Sequence, residues 1–203
     1  YDQGTYGALE DVGGHVHQCF WRIVAKRCVL AAGSIERGIA FPGNDRPGVM
    51  MASAVRAYLH RWGVRVGKKV AVFGNNADVQ RTIDDLIAAG VEAFAVDDVV
   101  ATHGRRSLSH ISVRKNGVVR KVEADCLAVT GGWNPTVHLT CHRGGRPVWD
   151  AARLCFVANP EDNPDMHIAG SAAGVFDTAG CLKTGQDAGI AVAKALGKTA
   201  GAR

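Results

Sequence analysis

The spacing of apolar and polar positions divides the chain into short extended segments and a few amphipathic helices. Residues 15–32 predict extended structure, with 27–33 a short apolar strand ending in small residues. Residues 41–48 hold two prolines and two glycines and predict a loop. Residues 50–62 predict a helix. There Val55, Tyr58, Leu59 and Trp62 recur at helical spacing, Arg56, His60 and Arg61 lie between them, and Gly63 marks the expected end. Residues 69–73 then predict a strand, Gly74-Asn75-Asn76 a tight turn, 77–89 a helix ending at Gly90, and 91–96 a second strand closed by Asp97 and Asp98. Two strands joined by a helix at this spacing form a βαβ crossover.

Asn116-Gly117 separates the extended runs 111–114 and 118–120, a strong hairpin signal. Residues 125–129 predict a buried strand ending at Thr130-Gly131-Gly132. The stretch 133–165 reads as irregular apart from a strand near 154–157. Residues 166–169 predict a strand, 170–180 a loop of small residues, and 181–196 an Ala-rich helix. Strands alternating with helices predict an α/β fold with mainly parallel strands.

Composition narrows the function classes. The 203 residues suffice for one or two domains. The formal charge of +5 suits anionic small molecules, and the basic residues fall only in short pairs such as Lys68-Lys69 and Arg105-Arg106, so no nucleic-acid partner is expected. No apolar run reaches the roughly 20 residues that span a bilayer, and no signal peptide is visible. The expectation is a cytoplasmic protein with no membrane partner. The chain opens on Tyr1 and reads as a piece of a longer one. Its six cysteines (Cys19, Cys28, Cys126, Cys141, Cys155 and Cys181) form no C-x-x-C pair and are expected to be buried, reduced thiols. His138, Cys141 and His142 lie close in sequence, but no second cluster at zinc spacing accompanies them, so no metal is assigned.

Two signals carry chemistry. The first is the turn Gly74, Asn75, Asn76, with Asp97 placed 23 residues after Gly74. In a Rossmann unit the helix N-terminus holds a pyrophosphate and an acidic residue at about this distance takes the ribose hydroxyls. Asn76 and Val79 stand where the second and third glycines of G-x-G-x-x-G belong. A side chain at 76 crowds phosphate, and Val79 is expected to push helix and strand apart. The plain alternative is a structural βαβ unit without a ligand. Asp97 repels a 2′-phosphate and so leans toward NAD over NADP, although Arg105 and Arg106 follow. The second signal is a set of strand ends rich in small residues: Gly33, Gly131, then Gly170, Ser171, Ala172 and Ala173, with Gly180 before the last helix. Small residues at strand-to-helix turns let backbone approach a large cofactor closely.

Several stretches carry a family resemblance: residues 29–37, Asn44-Asp45-Arg46-Pro47-Gly48-Val49-Met50, residues 54–61, Gly131-Gly132-Trp133-Asn134-Pro135, and Ala179-Gly180-Cys181-Leu182. From about Trp21 onward they are similar to the alpha subunits of heterotetrameric sarcosine oxidases and to their amine and imino-acid dehydrogenase relatives. The resemblance implies two Rossmann-like dinucleotide-binding domains, one inserted in the other. Residues 1–67 and 136–203 would form a partial FAD-type domain, and 68–135 the inserted NAD-type domain. It further implies a flavin-dependent oxidoreductase subunit that binds cofactors (NAD, with FAD or FMN in the complete complex) and works beside beta, gamma and delta-like subunits. The implied reaction is oxidative demethylation of sarcosine to glycine, with electrons passing through flavins to oxygen. A proline, opine or other secondary-amine dehydrogenase subunit, a non-catalytic scaffold and a free-standing NAD(P)H reductase are the competing readings. Within the family pattern, Ser171 stands where many flavoproteins carry Asp. Arg37 and Arg46 are expected to meet cofactor phosphate or a partner. Tyr58 and Trp133 are expected as core or interface aromatics, and no residue is assigned as catalytic.

Overall fold

The computed structural model describes residues 4–15, 17–142 and 144–199, so Tyr1 and the extreme ends of the expected first domain lie outside it. The elements in chain order are β1 (Thr5–Asp11), β2 (Gln18–Val24), β3 (Cys28–Leu30), β4 (Ser34–Glu36), β5 (Val49–Met51), α1 (Ala52–Trp62), β6 (Lys69–Gly74), α2 (Asp78–Ala88), β7 (Glu92–Val96), β8 (Val99–His103), β9 (His110–Lys115), β10 (Val118–Glu123), β11 (Cys126–Thr130), β12 (Trp133–Pro135), β13 (Val148–Asp150), β14 (Cys155–Val157), β15 (Met166–Ile168) and α3 (Thr178–Ala195). They group into two compact units. One runs to Ile35 and resumes at Trp133; the other is Glu36–Gly132.

The second unit is built on a parallel sheet ordered β5-β11-β6-β7. Its two central strands are sealed on both faces. All five residues of β11 are buried, as are Val70, Ala71 and Val72 of β6. That is why both strands read as continuous apolar runs. Side chains nevertheless alternate. Val70, Val72, Cys126 and Ala128 pack with Val55 of α1 and Ile83 and Leu86 of α2. Ala71, Leu127 and Val129 pack on the other face, with Val99, Ile111 and Val113 of the antiparallel sheet β10-β9-β8. The β9–β10 hairpin turns at Asn116 and Gly117, both with positive φ, as the Asn-Gly pair predicts.

Residues 36–67 cluster with this unit. The reason is local: β5 pairs with β11, and Ala52 and Val55 of α1 are buried in the core that α2 also covers. The resemblance implies a boundary at 68, and a three-residue strand such as β5 carries no periodicity of its own that would mark an earlier one.

In the first unit, β3 pairs in parallel with β15, and α3 follows β15. β1 and β2 form an antiparallel hairpin, β13 and β14 another, and β4 pairs with β12. Three differences from the pattern reading stand out. Antiparallel pairing accounts for three of the six sheets, so the strands are not mainly parallel. β8, β12 and β13 occur in stretches that gave no strand signal. α3 begins at Thr178 rather than 181, because the Asp177 carboxylate accepts from Gly180 N and caps the helix there. The thiols differ too. Only Cys126 and Cys155 are buried, and the other four are half-buried.

Candidate functional site

The turn after β6 carries the first candidate group, in the second unit. Gly74 ends the strand where a Cβ would overlap the carbonyl oxygen and methyl of Thr130 and come within 2.8 Å of Val79 Cγ2. The missing side chain therefore admits Val79, which packs against the core of α1, β6, α2 and β11. The expectation that Val79 forces helix and strand apart is corrected on this point: the room comes from Gly74.

Asn75 is exposed, and its backbone N–H reaches the Thr130 carbonyl at 3.4 Å. Asn76 closes the turn. Its Nδ2 donates to Thr130 O at 3.1 Å and to Thr130 Oγ1 at 3.2 Å, while its Oδ1 accepts from Asp78 N at 3.0 Å. One of the free donors at the start of α2 is thus already satisfied. Asp78 then adds a carboxylate in the first helical turn, bound by Arg81 at 2.7 Å. A carboxylate there complements the helix dipole, which is what a bound phosphate would otherwise do. Asp97 sits exposed just past the end of β7, the position that suits a ribose contact. The carboxylate at the end of β7 is thus open to solvent, whereas the turn at 74–76 is closed by Asn76 on Thr130.

Gly131 has a different duty. It is buried, its N–H donates to Arg37 O at 2.7 Å, and a Cβ would come within 2.8 Å of that same oxygen. Arg37 Nε and Nη2 donate back to Gly131 O at 3.0 and 2.7 Å. Arg46 donates to Thr102 Oγ1 at 3.3 Å and to Gly104 O. Both arginines tie loops together, and Gly131 lets two backbones cross.

The first unit holds the second group. Gly33 takes φ +79°, and a Cβ there would lie 3.9 Å from Ser171 Oγ, so the two predicted positions are neighbours. Gly170 follows β15 with φ +65°, and its N–H is held by Thr184 Oγ1 at 3.0 Å. Residues Gly170–Ala173 form a single 3-10 turn, closed by Gly174 in the left-handed region. Gly180 lies in the first turn of α3, where a Cβ would come 2.5 Å from Val175 Cγ1.

Ala172 and Ala173 border a cavity of about 490 Å³, with Val157, Met166, Ile168 and Asn163 among its other walls. That volume is of the size that holds a cofactor ring system. Asn163 is 4% exposed. Its Nδ2 donates to Thr140 O at 2.8 Å, but its Oδ1 is enclosed without a hydrogen-bond partner. Neither this atom nor the cavity had a signal in the sequence, because Asn163 lies in a stretch without periodicity. Small residues and largely apolar walls give the cavity room for a flat ring system, while Asn163 Oδ1 is sealed within the wall.

Tyr58 is exposed rather than in the core, Trp133 is half-buried, and no group of three or more metal-ligating side chains occurs among the described residues. No helix among the described residues is long and apolar enough to cross a membrane.

No protein-family model matches the chain. The sarcosine oxidase alpha subunit of Rhizobium meliloti is 38% identical over 97% of this chain. The chain spans 23% of that relative's length, so the match is to a segment of it. Among solved structures, the L-proline dehydrogenase of P. horikoshii superposes with a TM-score of 0.75 at 25% identity, covering 90% of this chain and 37% of that one. The thioredoxin reductase of T. acidophilum superposes with a TM-score of 0.63 at 15% identity, over 86% of this chain and 67% of that one, a likeness of fold. The chain thus has the Rossmann-like α/β fold of these oxidoreductases.

Proposed function

We infer that this chain, which matches a segment of sarcosine oxidase alpha subunits, supplies cofactor-binding architecture to a flavin-dependent oxidoreductase that oxidises a secondary amine. The observation that carries the reading is 38% identity held over 97% of the chain. Sarcosine is the first substrate to test, with demethylation to glycine as the reaction. The unit holding Gly33, Gly170, Ser171, Ala172, Ala173 and Gly180 is read as the flavin-type domain, for FAD or FMN. The unit holding Gly74, Asn75, Asn76, Asp97 and Gly131 is read as the NAD-type domain.

A bound flavin would supply the two-electron acceptor. The chain's own part is to seat it: small residues at the strand end allow close approach, and the largely apolar walls of the cavity suit a ring system. In the other unit, Asp97 would hold the ribose of a dinucleotide, and Asn76, bonded to Thr130, stands against its phosphate. No residue here is assigned to proton abstraction, and amine oxidation is placed on a partner subunit in the cytoplasm.

The likeness to an L-proline dehydrogenase favours a second reading within the same class. Proline and sarcosine are both secondary amino acids, so the two readings share their chemistry and differ in the substrate. The test is to denature the purified chain and identify released small molecules by mass spectrometry and absorbance. Stoichiometric flavin or NAD supports a cofactor carrier, and empty protein favours a scaffold. A screen of sarcosine, proline and opines on the assembled complex then decides the substrate.

A further inference from the structure

We propose that the C-terminal end of α1 and the turn after it form a docking surface for an acidic protein partner. The inference rests on shape and charge and stands independently of the amine substrate. α1 buries Ala52 and Val55 but turns its last apolar residues outward: Tyr58 is 44% and Trp62 61% exposed. Their rings pack at 5.3 Å between centroids. Gly63 takes the left-handed conformation and donates to Leu59 O, and Val64 N then donates to Tyr58 O, both at 3.0 Å. This terminus folds exposed Val64 back toward Tyr58. The result is an apolar patch of three residues on a rigid helix end, with the Trp and Tyr content typical of binding hot spots.

The charged residues next to the patch along the chain are basic. No Asp or Glu occurs between Asp45 and Asp78, while Arg56, Arg61, Arg65, Lys68 and Lys69 all do. Arg56 is neutralised by Asp85 at 2.6 Å and Lys69 by Glu92 at 2.8 Å. His60 also meets Asp85, at 2.9 Å. The side chains of Arg61, Arg65 and Lys68 have no carboxylate partner among the described residues, and all three are exposed. The Asp125 carboxylate is taken up by the backbone N–H groups of Lys68 and Lys69. An apolar centre with the unpaired cations Arg61 and Arg65 next to it along the chain matches a partner that presents an apolar knob flanked by carboxylates. A second copy of the same patch would bring like charges together.

The probe is a helical peptide with a leucine face flanked by glutamates, compared with a twin carrying lysines in their place. Both are titrated against the whole chain by fluorescence anisotropy. The glutamate peptide is expected to bind at least about tenfold more tightly than its twin, and to weaken as salt rises from about 50 to 500 mM. The double variant Arg61→Glu, Arg65→Glu should reverse that preference. Tyr58→Ser with Trp62→Ser should abolish binding of the glutamate peptide while the circular dichroism stays unchanged. Equal affinity for the two peptides, no binding of either, or indifference to the charge reversal would overturn the proposal. So would tighter binding of a single-stranded oligonucleotide, which would make this a nucleic-acid surface, or self-association lost in Trp62→Ser, which would make it an interface between copies.

Discussion

Asn76 is bonded to Thr130 twice, through one amide nitrogen that reaches both the carbonyl and the hydroxyl oxygen of that residue. The consequence is a latch across the mouth of the βαβ turn. Asn76→Gly removes the latch and restores the second glycine of the fingerprint. The expected outcome is tighter binding of NAD, read by isothermal titration, together with a stability loss of about 1–2 kcal/mol from the missing hydrogen bonds and added chain entropy. Unchanged affinity would show that the phosphate end is closed by something other than Asn76.

Gly74→Ala tests the packing beneath that latch. The new Cβ meets a backbone oxygen of Thr130, which cannot move without breaking the β6–β11 pairing. A loss of about 2–4 kcal/mol is expected in urea denaturation. Adding Val79→Ala should recover little, because it removes only one of the three contacts.

Most of the second unit was legible in the sequence for one reason: β6 and β11 are sealed on both faces, so burial wrote itself as unbroken apolar runs. The Asn-Gly hairpin was legible because positive φ at two successive residues demands that pair. β5, β12 and β13 were not, since three residues hold no full period and their partners lie far along the chain. The same limit applied to the sites. Gly131 and Gly33 look alike in sequence, but one is pressed by the Arg37 carbonyl and the other faces open space beside Ser171. Only the crossing of distant segments separates them. The exposure of Tyr58 and Trp62 was hidden for a related reason, because helical spacing marks a face without saying how much of it is covered.

Asp177 caps α3 through Gly180 N at 2.8 Å, and its carboxylate stands at the helix N-terminus, the end whose dipole favours an anion. Asp177→Asn keeps an acceptor and removes the charge, so FMN or FAD affinity should rise with helix stability nearly unchanged. Asp177→Ala loses both and should cost about 1 kcal/mol. Flavin fluorescence quenching and thermal melts separate the two effects. Equal flavin affinity in Asp177→Asn and the parent would remove the carboxylate from the site.

Asp85 joins α2 to α1. Burial pushes its carboxyl pKa up, but hydrogen bonds from His60 and Arg56 outweigh this and hold it below the usual value. A carboxyl depressed in the folded state stabilises fully above its unfolded pKa near 3.9, and that contribution vanishes as pH falls through the folded value. The stability curve of the parent should therefore drop below about pH 4. Asp85→Asn should lose about 1 kcal/mol at neutral pH and show a shallower acid limb. Parallel acid limbs in the two proteins would exclude Asp85 as a contributor.

Cys126 gives the opposite sign at the alkaline end. Burial in β11, reinforced by the nearby Asp125 charge, pushes its thiol up to about 12 from an ordinary value of 9.0. The folded chain holds that proton where the unfolded chain releases it, so folding stability falls as pH rises from 9.0 toward about 12. The thiolate is the reactive form, so the native protein should leave Cys126 unlabelled by a disulfide reagent at pH 8. Mass mapping after labelling should find the reagent first among the half-buried Cys19, Cys28, Cys141 and Cys181, and on Cys126 and Cys155 only after denaturant is added. Prompt native-state labelling of Cys126 would mean that β11 opens far more readily than a strand with every residue buried allows.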